Sequence, residues 1–553
     1  MADPVTVTFL GGLGEIGRNC AVIECRDEMV LLDCGLMFPG QDMPGIDLVL
    51  PDFTFILENR HKLKGVVLTH GHEDHVGGLA YLLREVSLPL YGSPFTLGLA
   101  RNRIEEAGLL GRTQFIPVQD GDRLPIGPLE FEFIPVTHSV PSGHAVAVRT
   151  PQGVLLHSGD FKLDTTPVDG RLCDLARIGA IADGEGVRLL LSDSTNADES
   201  GWSRSESQVG SVLYDLFHDH RGRRIVTVCF SSHIHRVQQI ADAAIEQGRV
   251  VATLGMSMRK NVKLARSMGL LHIPADRLVD IEQTQGMDPG KVCVISTGSQ
   301  GEPYSALALM ASGESRFIKI GPDDTVILSS SPIPGNESNV NKVMNGLMRL
   351  GAKVVHSGIA DVHATGHARA EELKLYLNLT RPRFMVPVHG EPRHLRAHAQ
   401  LASQVGVDLS RVLVCEDGDQ VVMSDRGVMR GDRVRAGHLY VDGIVGDVGR
   451  GVLRDRRVLA EEGVVVVIVA IDVQERAIVT GPEVITRGWV YAPEAEELLD
   501  EAADVVRREV DKALGGDTVE LDVLQQVIRR AAGRFVNERT RRKPMIVPVV
   551  MES

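Results

Sequence analysis

The pattern of hydrophobic positions changes once along the chain, near residue 205. Before that point, short apolar runs are separated by glycines and turn residues, which is typical of strands. The stretch from Val76 to Glu85 has the spacing of a helix. This part is therefore predicted to be a mixed sheet packed with helices. Its predicted strands cover residues 5–10, 21–24, 29–32, 65–69, 129–136, 145–148 and 154–156.

After residue 205, strand and helix patterns alternate. Repeated strand–helix units predict a parallel sheet, and hence a second domain. Around Ala352 the pattern of the first part returns, which indicates that the second domain is inserted into the first. The predicted strands of the insert cover 224–229, 249–252, 292–295 and 325–328, with a helix over 234–247.

The last part of the chain is predicted to be a small αβ unit behind a linker rich in glycine and arginine, Gly443–Arg457. The unit has a strand from Val464, helices over 493–514 and 521–534, and a final strand over 545–550. The predicted domains are 1–205 and 353–442 for the two parts of the first domain, 206–352 for the insert, 443–460 for the linker and 461–553 for the C-terminal αβ domain.

Composition narrows the class of protein. The chain has 553 residues, a formal net charge of −14 and 43% hydrophobic residues, which indicates a globular protein of several domains. This charge argues against a basic nucleic-acid coat. The longest apolar run, Val464–Ile471, is too short to span a membrane. The start has no signal-peptide pattern and the seven cysteines show no paired spacing, so a cytoplasmic protein with reduced thiols is expected.

Gly12, Gly14 and Gly17 formally match the dinucleotide-binding fingerprint. That fingerprint requires a helix opening at its third glycine and an acid that reaches the ribose. Here Asn19–Glu24 is strand-like, and a second strand ends at Asp33, so no crossover helix fits. We therefore predict a tight turn between two antiparallel strands, and exclude a nicotinamide dehydrogenase.

A cluster of potential metal ligands directly follows the strand Gly65–Leu68. His70, His72, Asp74 and His75 lie within six residues, and each has a polar group that core packing cannot satisfy. A strand end followed by a helix near Asp74 allows His70 and His72 to converge on one metal. Asp74 and His75 then face a second metal. The alternative, a solvated histidine-rich loop, does not account for this strand–loop–helix context.

Three further candidates, His138, Asp160 and His389, each follow an apolar strand, which places them on the same rim of a sheet. Taken singly, each has an ordinary structural explanation. Together they complete a bridged two-metal site, since an aspartate such as Asp160 can bridge two cations about 3.5–4 Å apart. His144 is a rival to His138, although it is expected to begin the next strand. The nitrogen and oxygen ligands suit zinc or manganese.

The residues His70 to His75 resemble the His-x-His-x-Asp-His hallmark of the metallo-β-lactamase superfamily. This resemblance implies an α/β protein, an αββα sandwich with two divalent metal ions. Asp33, at the end of a strand, resembles the first motif of the superfamily, in which the residue orients a metal ligand. The hallmark does not select among lactams, thioesters, phosphodiesters and redox substrates.

Later motifs select the substrate. Leu191-Ser-Asp193-Ser-Thr-Asn196, the segments 363–367 and 387–391, and Phe230-Ser-Ser-His-Ile-His235 resemble the β-CASP nucleases. With the segment 11–19, the set is similar to the ribonuclease J family over nearly the whole chain. The resemblance implies a β-CASP α/β insert and a 5′→3′ exoribonuclease with some endonuclease activity in RNA processing and mRNA decay. It also implies a homodimer or larger homo-oligomer formed through the C-terminal domain.

Two loops are suited to bind phosphate. A helix N-terminus after Ser232 offers backbone and side-chain donors to an anion, and the segment 363–367 offers a hydroxyl, a bare amide and an imidazole. Ordinary helix capping by Ser232 or Thr365 explains each residue alone equally well. The resemblance implies that the loops hold the 5′-monophosphate of single-stranded RNA and the adjacent backbone. The candidate phosphate-binding residues are Ser232, His233, His235, His363, Thr365, Gly366 and His367.

The candidate catalytic residues are Asp74, His367 and Asp193. His367 is expected to stabilise the scissile phosphate, and Asp193 to fix His389 or a water at the metals. The expected products have 5′-phosphate and 3′-hydroxyl ends. Asp47 and Asp442 match a calcium site in some relatives. Arginines and one lysine between 529 and 543 are assigned to assembly first and to RNA contact second.

Two other functions are compatible with parts of the sequence. One is a metallohydrolase of small thioesters or lactams, which leaves the insert and the two phosphate-type loops unexplained. The other is a catalytically inactive RNA-binding scaffold, which predicts missing ligands, whereas all seven candidate ligands are present.

Overall fold

The structure is a computed structural model that describes residues 2–40, 42–333, 335–443, 448–490, 496–516 and 520–552. The chain divides into two compact units. The larger comprises Met1–Phe38 and Val49–His438, and the smaller comprises Pro39–Leu48 and Leu439–Ser553.

The strands of the described residues are numbered in chain order. They are β1 Val5–Gly11, β2 Cys20–Cys25, β3 Glu28–Leu32, β4 Leu48–Pro51, β5 Leu63–Val67, β6 Pro89–Gly92, β7 Gln114–Pro117, β8 Arg123–Ile126, β9 Leu129–Pro135, β10 His144–Thr150, β11 Gly153–His157, β12 Val187–Asp193, β13 Arg224–Val228, β14 Val250–Leu254, β15 Leu278–Val279, β16 Val292–Ser296, β17 Asp324–Leu328, β18 Lys353–Val355, β19 Phe384–Val388, β20 Asp419–Ser424, β21 Gly427–Arg433, β22 His438–Val441, β23 Val464–Asp472, β24 Ala477–Arg487 and β25 Met545–Glu552.

The α-helices are numbered in the same way. They are α1 Thr54–Glu58, α2 Glu73–Val76, α3 Leu79–Glu85, α4 Pro94–Glu106, α5 Leu175–Gly184, α6 Glu206–Asp219, α7 Ile234–Glu246, α8 Met256–Ser267, α9 Ala306–Ala311, α10 Glu337–Arg349, α11 Ala370–Thr380, α12 Pro392–Gln404, α13 Gly449–Glu461, α14 Glu496–Leu514 and α15 Leu521–Thr540. Short 3₁₀ helices cover Arg60–Lys62, Leu110–Arg112, Ile281–Thr284, Pro289–Lys291 and Leu409–Arg411.

Two sheets of the larger unit pack face to face. The first has the order β21-β20-β1-β2-β3-β5-β6-β7 and the second β19-β12-β11-β10-β9-β8. Alternate side chains of both sheets, such as Val7, Ile23, Phe131 and Leu189, are buried in the core between them. Helices α5, α11 and α12 cover the other face of the second sheet, and α4 packs along β6 and β7. The layers are therefore helix, sheet, sheet and helix.

The insert forms a third sheet, with the order β15-β14-β16-β13-β17-β18. All its strand pairs are parallel, as the alternating pattern predicts. The carboxyl ends of these strands consequently meet at one edge. The chain enters the insert after β12 and returns at β19, which pairs in parallel with β12. The insert thus lies between two strands that are neighbours in the second sheet.

Two details of the first domain test the sequence predictions. The glycine loop connects β1 and β2, which pair antiparallel, so the rejection of a dinucleotide site agrees with the structure. The helix predicted from Val76 instead starts at Glu73 and is interrupted between α2 and α3. A Cβ at Gly78 would lie 2.8 Å from the carbonyl oxygen of Gly35 and 3.1 Å from Sγ of Cys34, so the backbone approaches closely there.

The smaller unit has a sheet of order β24-β23-β25. Helices α14 and α15 cover one face of it, where Val465, Val467 and Val469 are fully buried. The predicted strands and helices are present, and β24 is an addition that the sequence analysis missed. The predicted start of α14 at Pro493 lies outside the described residues.

The predicted linker 443–460 contains a helix, α13, and its residues 444–447 lie outside the described residues. Leu453 is the only buried residue of α13, and the glycines and arginines of the segment led to the prediction of a linker. Among the described helices, none is long and apolar enough to cross a membrane.

Candidate metal centre

The candidate ligands meet at one rim of the two packed sheets. His70 and His72 lie on the loop between β5 and α2, and Asp74 and His75 lie on α2 itself. The remaining three follow strand ends, with His138 after β9, Asp160 after β11 and His389 after β19. The alternating strands bury apolar side chains up to the rim, where the chain leaves the sheet and polar side chains can converge.

The ligand atoms form two groups that share Asp160. One group contains His70, His72, His138 and Asp160, and the other contains Asp74, His75, Asp160 and His389. Within each group the atoms lie within 4.8 Å of one another. Nδ1 of His72 is 3.2 Å from Nε2 of His70 and 3.1 Å from Nε2 of His138. Oδ2 of Asp160 is 3.2 Å from Nε2 of His75.

Two buried atoms in this cluster, Oδ2 of Asp160 and Nε2 of His389, have no partner in hydrogen-bond geometry among the described residues. Their nearest groups of opposite charge are Nε2 of His75 at 3.2 Å and Oδ2 of Asp74 at 3.3 Å, respectively. Leaving a buried polar atom unpaired costs about 1–3 kcal/mol, so an occupant that satisfies both atoms is favoured. Mixed imidazole and carboxylate donors suit a divalent transition metal. The residues present therefore fit the metal that their types imply.

Burial and charge divide the imidazoles into two kinds. Burial lowers the pKa of His70 and His138 well below the usual range, and that of His72 to about 4. These rings are neutral near pH 7, as metal ligands must be. Burial also opposes protonation of His75 and His389, but the carboxylates around them outweigh it. Asp160 above all raises the pKa of His75, and that of His389 to about 10.

Residues behind the ligands fix their orientation. Oδ2 of Asp33 is 2.7 Å from Nδ1 of His75 and also accepts a hydrogen bond from the Thr69 hydroxyl. This is the orienting contact that the sequence predicts for Asp33. Nδ2 of Asn19 is 3.0 Å from Nε2 of His75, a contact that the sequence analysis missed although Asn19 ends the glycine-rich motif. Asp33 and His389 have φ angles of 60° and 53°, a strained conformation often found at functional sites.

Asp193 contacts His367, not His389. Its Oδ2 is 2.8 Å from Nδ1 of His367, whereas its Oδ1 is 3.9 Å from Nδ1 of His389. Nδ1 of His389 is instead 2.9 Å from Oδ1 of Asp160. The shorter contact of Asp193 is thus to His367, and its predicted role in fixing His389 or a water at the metals stays a prediction. The backbone amide and hydroxyl of Thr195 hold Asp193 in place.

The loop 363–367 packs directly against the ligands. The Gly366 carbonyl oxygen is 2.7 Å from Nδ1 of His138, and a Cβ at Gly366 would lie 2.7 Å from Cε1 of the same ring. The Thr365 hydroxyl accepts hydrogen bonds from Asn196 and from the backbone of His367. Because the next helix begins only at Ala370, Thr365 is not a helix cap. Asn196, the last residue of the motif 191–196, was not singled out from the sequence.

The loop before α7 contains the other predicted phosphate ligands. Helix α7 begins after His233 and has no side-chain cap, so capping does not explain Ser232. Nε2 of His233 and Nδ1 of His363 are buried without a hydrogen-bond partner among the described residues. His235 faces Asp169 at 3.1 Å. Glu206 was not singled out from the sequence. Its carboxylate lies 3.4 Å from Nε2 of His233 and forms an ion pair with the buried Arg236 of α7.

His144 and the calcium candidates lie apart from the ligand groups. Nε2 of His144 is 2.9 Å from Asp120, so the ligand group contains His138 and not its rival. In the smaller unit, Asp47 accepts a hydrogen bond from the backbone of Gly443, and the carboxylate of Asp442 forms an ion pair with Arg456. The calcium site predicted at Asp47 and Asp442 stays a prediction.

Family models match most of the chain. A model described as the metallo-β-lactamase superfamily matches residues 13–204. A model of the ribonuclease J β-CASP domain matches 222–347. A model of a Zn-dependent metallo-hydrolase RNA specificity domain matches 352–412, and one of the ribonuclease J C-terminal domain matches 451–553.

Curated relatives match over their full length. Ribonuclease J of Thermus thermophilus is 43% identical over 561 residues, covering 100% of this chain and 96% of the relative. Ribonuclease J of Mycolicibacterium smegmatis is 41% identical, with 99% and 97% covered. Ribonuclease J2 of Bacillus subtilis is 38% identical, with 100% and 99% covered.

A solved structure from Enterococcus faecalis V583, of a protein of unknown function, has a TM-score of 0.53 at 15% identity. It covers 76% of this chain and 100% of its own, and supports the fold alone.

The layered sheets, the two ligand groups and the inserted parallel sheet together define a metallo-β-lactamase fold, an αββα sandwich carrying a β-CASP domain and a C-terminal αβ domain. Within that superfamily, the chain belongs to the ribonuclease J family. Membership makes it a metal-dependent hydrolase that acts on RNA, and the RNA specificity domain supports RNA binding.

Substituting Gly35 tests how tightly the ligand loop is packed. A Cβ at Gly35 would lie 1.6 Å from the carbonyl oxygen of Asp74, so Gly35→Ala must displace the backbone of α2. We expect it to lower both the unfolding temperature and the amount of metal retained after dialysis. Gly111→Ala is the matched control, because nothing lies within 4 Å of its Cβ. Equal metal retention by the two variants would contradict the packing argument.

Proposed function

We propose that this protein is a 5′→3′ exoribonuclease that acts on RNA with a 5′-monophosphate, has some endonuclease activity, and takes part in RNA processing and mRNA decay. The observation that carries the proposal is the pair of ligand groups sharing Asp160, with the loop 363–367 packed against His138. The names of the relatives support the same substrate class.

The proposed site holds two divalent ions, zinc or manganese. When bound, such ions activate water for hydrolysis and offset negative charge on a phosphate. Asp160 faces both groups and is the proposed bridge. Three buried imidazoles with lowered pKa values and Asp160 form the first group, and two carboxylates and two imidazoles form the second. The proposed ligands are His70, His72, Asp74, His75, His138, Asp160 and His389.

His367 is proposed to stabilise the scissile phosphate. Asp193 occupies Nδ1 of this ring, so Nε2 is the atom left to face a phosphate oxygen. The ring lies beside both His138 and His389, with centroid distances of 5.0 and 5.5 Å. Asp193 therefore acts through His367, as a positioning residue. The proposed products have 5′-phosphate and 3′-hydroxyl ends.

The terminal 5′-phosphate is proposed to bind between the loop before α7 and the loop 363–367. Nδ1 of His363, buried without a hydrogen-bond partner among the described residues, supports an anionic occupant because it can donate a hydrogen bond to it. Nε2 of His233 lies 3.4 Å from the Glu206 carboxylate and supplies no comparable support. A pocket fitted to a monophosphate disfavours a 5′-triphosphate. The proposed phosphate-binding residues are Ser232, His233, His235, His363, Thr365, Gly366 and His367.

The alternatives fit less well. A hydrolase of small thioesters or lactams has no use for the parallel sheet of the insert or for the RNA specificity domain. An inactive scaffold does not require that the ligand atoms converge within 4.8 Å. The proposed domain division agrees with the order of the family models, although the C-terminal model begins at residue 451, within the predicted linker 443–460. The free cysteines are compatible with the proposed cytoplasmic location.

Metal content tests the bridging role of Asp160. Wild-type protein dialysed against zinc or manganese is expected to retain about two ions per chain by elemental mass spectrometry. Asp160→Ala should lose most of both, since it removes a ligand from each group. His138→Ala should lose mainly one. His61→Ala, at an exposed position outside both groups, is the control. Loss of a single ion in Asp160→Ala would argue against a bridge.

Activity on RNA tests the proposed reaction. Wild-type protein is expected to release mononucleotides from 5′-monophosphate RNA and to act more slowly on 5′-triphosphate RNA and on single-stranded DNA. His389→Ala should abolish release, and His367→Ala should lower kcat by about 10²–10³-fold, as for loss of a charge-stabilising donor. His61→Ala again serves as the control.

Three outcomes would overturn parts of this proposal. Equal cleavage rates on 5′-monophosphate and 5′-triphosphate RNA would contradict a pocket that is specific for a monophosphate. Hydrolysis of a chromogenic lactam with RNA left intact would favour the small-molecule hydrolase. Tight RNA binding without cleavage, in protein that retains its metal, would favour the inactive scaffold.

The C-terminal αβ domain is proposed to form a homodimer or larger homo-oligomer. Helices cover one face of its sheet, while Val479, Ile485, Val549 and Met551 on β24 and β25 remain exposed. These two strands lie on either side of β23 in the sheet, and several exposed apolar side chains on one sheet are typical of an assembly surface. The position of these residues in the sheet supports self-association of the domain.

Charge substitution tests this surface. Val549→Glu combined with Met551→Glu should shift the mass measured by light scattering from an oligomer to a monomer, because it places carboxylates in an apolar interface. Val523→Glu on α15 is an equally exposed control and should leave the mass unchanged. An unchanged mass in the double variant would contradict assembly through this face.

A further inference from the structure

Tyr304 is the most unusual surface residue of the insert. Its side chain is 89% exposed, and its φ angle is 62°. A residue with a Cβ rarely adopts this left-handed conformation, and a large aromatic residue rarely leaves its ring in water. The protein therefore tolerates two unfavourable features at one position, which suggests a use for the exposed ring.

The loop that bears Tyr304 is firmly held. The side chain of Gln300 donates a hydrogen bond to the Ser331 carbonyl and accepts one from the Ile333 amide. Gly301 packs so closely on α10 that a Cβ would lie 2.7 Å from the backbone of Asn339. After Tyr304, the Ser305 hydroxyl caps α9. The ring is thus presented by a fixed loop, which lowers the entropy that binding must overcome.

The loop leaves the same sheet edge as the proposed phosphate-binding loop. It follows β16, and the loop with Ser232 follows β13. These strands are parallel neighbours, with Val228 paired to Ser296 at their carboxyl ends. The two loops therefore start side by side. An RNA whose 5′ end occupies one loop passes close to the start of the other.

The loop between β14 and α8, at the same edge of the sheet, also exposes an apolar side chain. Gly255 directly follows β14 and lies against Thr297, at the start of the Tyr304 loop. Met256, directly after it, is 73% exposed and begins α8. Helix α8 has no acidic residue, and its Arg259 and Lys263 are exposed. Exposed apolar side chains next to cations are the combination that binds single-stranded nucleic acid without sequence preference.

We propose that Tyr304 is a stacking site for a nucleobase of single-stranded RNA, with Met256 and the basic side chains of α8 extending the surface. The proposal rests on the RNA hydrolysis proposed above and adds a contact outside the metal centre and the phosphate loops. Stacking on an aromatic ring does not depend on base identity, so the site would hold RNA of any sequence while its end is cleaved.

The test compares KM and kcat on a 5′-monophosphate RNA of about 20 nucleotides. Tyr304→Ala and Tyr304→Gly should raise KM by about tenfold, the loss expected for one stacked base. Tyr304→Trp and Tyr304→Phe should keep KM near the wild-type value. Tyr304→Gly distinguishes the effect of losing the ring from the effect of backbone strain, because glycine adopts the positive φ without strain. Phe317→Ala, an exposed aromatic on the loop that leads into the opposite end of β17, is the control.

Abasic substitutions identify the contact. A series of RNAs, each lacking one base, should contain one position at which wild-type KM rises and the difference between wild type and Tyr304→Ala disappears. A wild-type KM in Tyr304→Gly, or a difference that persists in every abasic RNA, would overturn the proposal.

The alternative is that Tyr304 contacts a second copy of the chain and not RNA. Light scattering tests this alternative by measuring the mass of each variant. A lower mass for Tyr304→Ala than for wild type would also overturn the stacking site. If wild-type protein cleaves no RNA, the proposed function itself fails. Normal cleavage with no effect of Tyr304 substitution would remove only the stacking site.

Discussion

The site depends on one buried carboxylate. Asp160 presents Oδ1 to His389 and leaves Oδ2 among the imidazoles of His70, His75 and His138. Without compensating positive charge, this oxygen would be an unpaired buried anion, which a protein interior does not tolerate. Protonated imidazoles or bound cations must therefore balance it. Asp160 thus favours the protonated rings of His75 and His389, whereas burial keeps His70, His72 and His138 neutral against its pull.

The candidate ligands could be predicted from the sequence because each is a polar residue close to the end of an apolar strand or the start of a helix. His70, Asp160 and His389 are polar residues placed directly after apolar strands, and strand ends in a layered sheet fold share an edge. The insert was visible for a similar reason, since its strands and helices alternate regularly. The local sequence pattern was sufficient to predict those candidate residues that lie at the end of a strand or helix.

The remaining features depend on contacts between distant segments, which no local pattern records. The sequence could not show that Asp193 lies closer to His367 than to His389, since about 1 Å of side-chain position separates the two contacts. Asn19 and Glu206 act through partners in other segments. The ion pair between Asp442 and Arg456 likewise joins residues on separate elements. Helix α13 was missed because its glycines and arginines are typical of a linker.

The insertion between β12 and β19 has a consequence for biosynthesis. Asp160 and His389 are in contact although 229 residues separate them along the chain. A ribosome must therefore make the whole insert before the last ligand leaves the exit tunnel. Truncated products that end earlier contain the hallmark segment 70–75 but lack the complete ligand set. The contact between Asp160 and His389 can therefore form only after the whole insert has been synthesised.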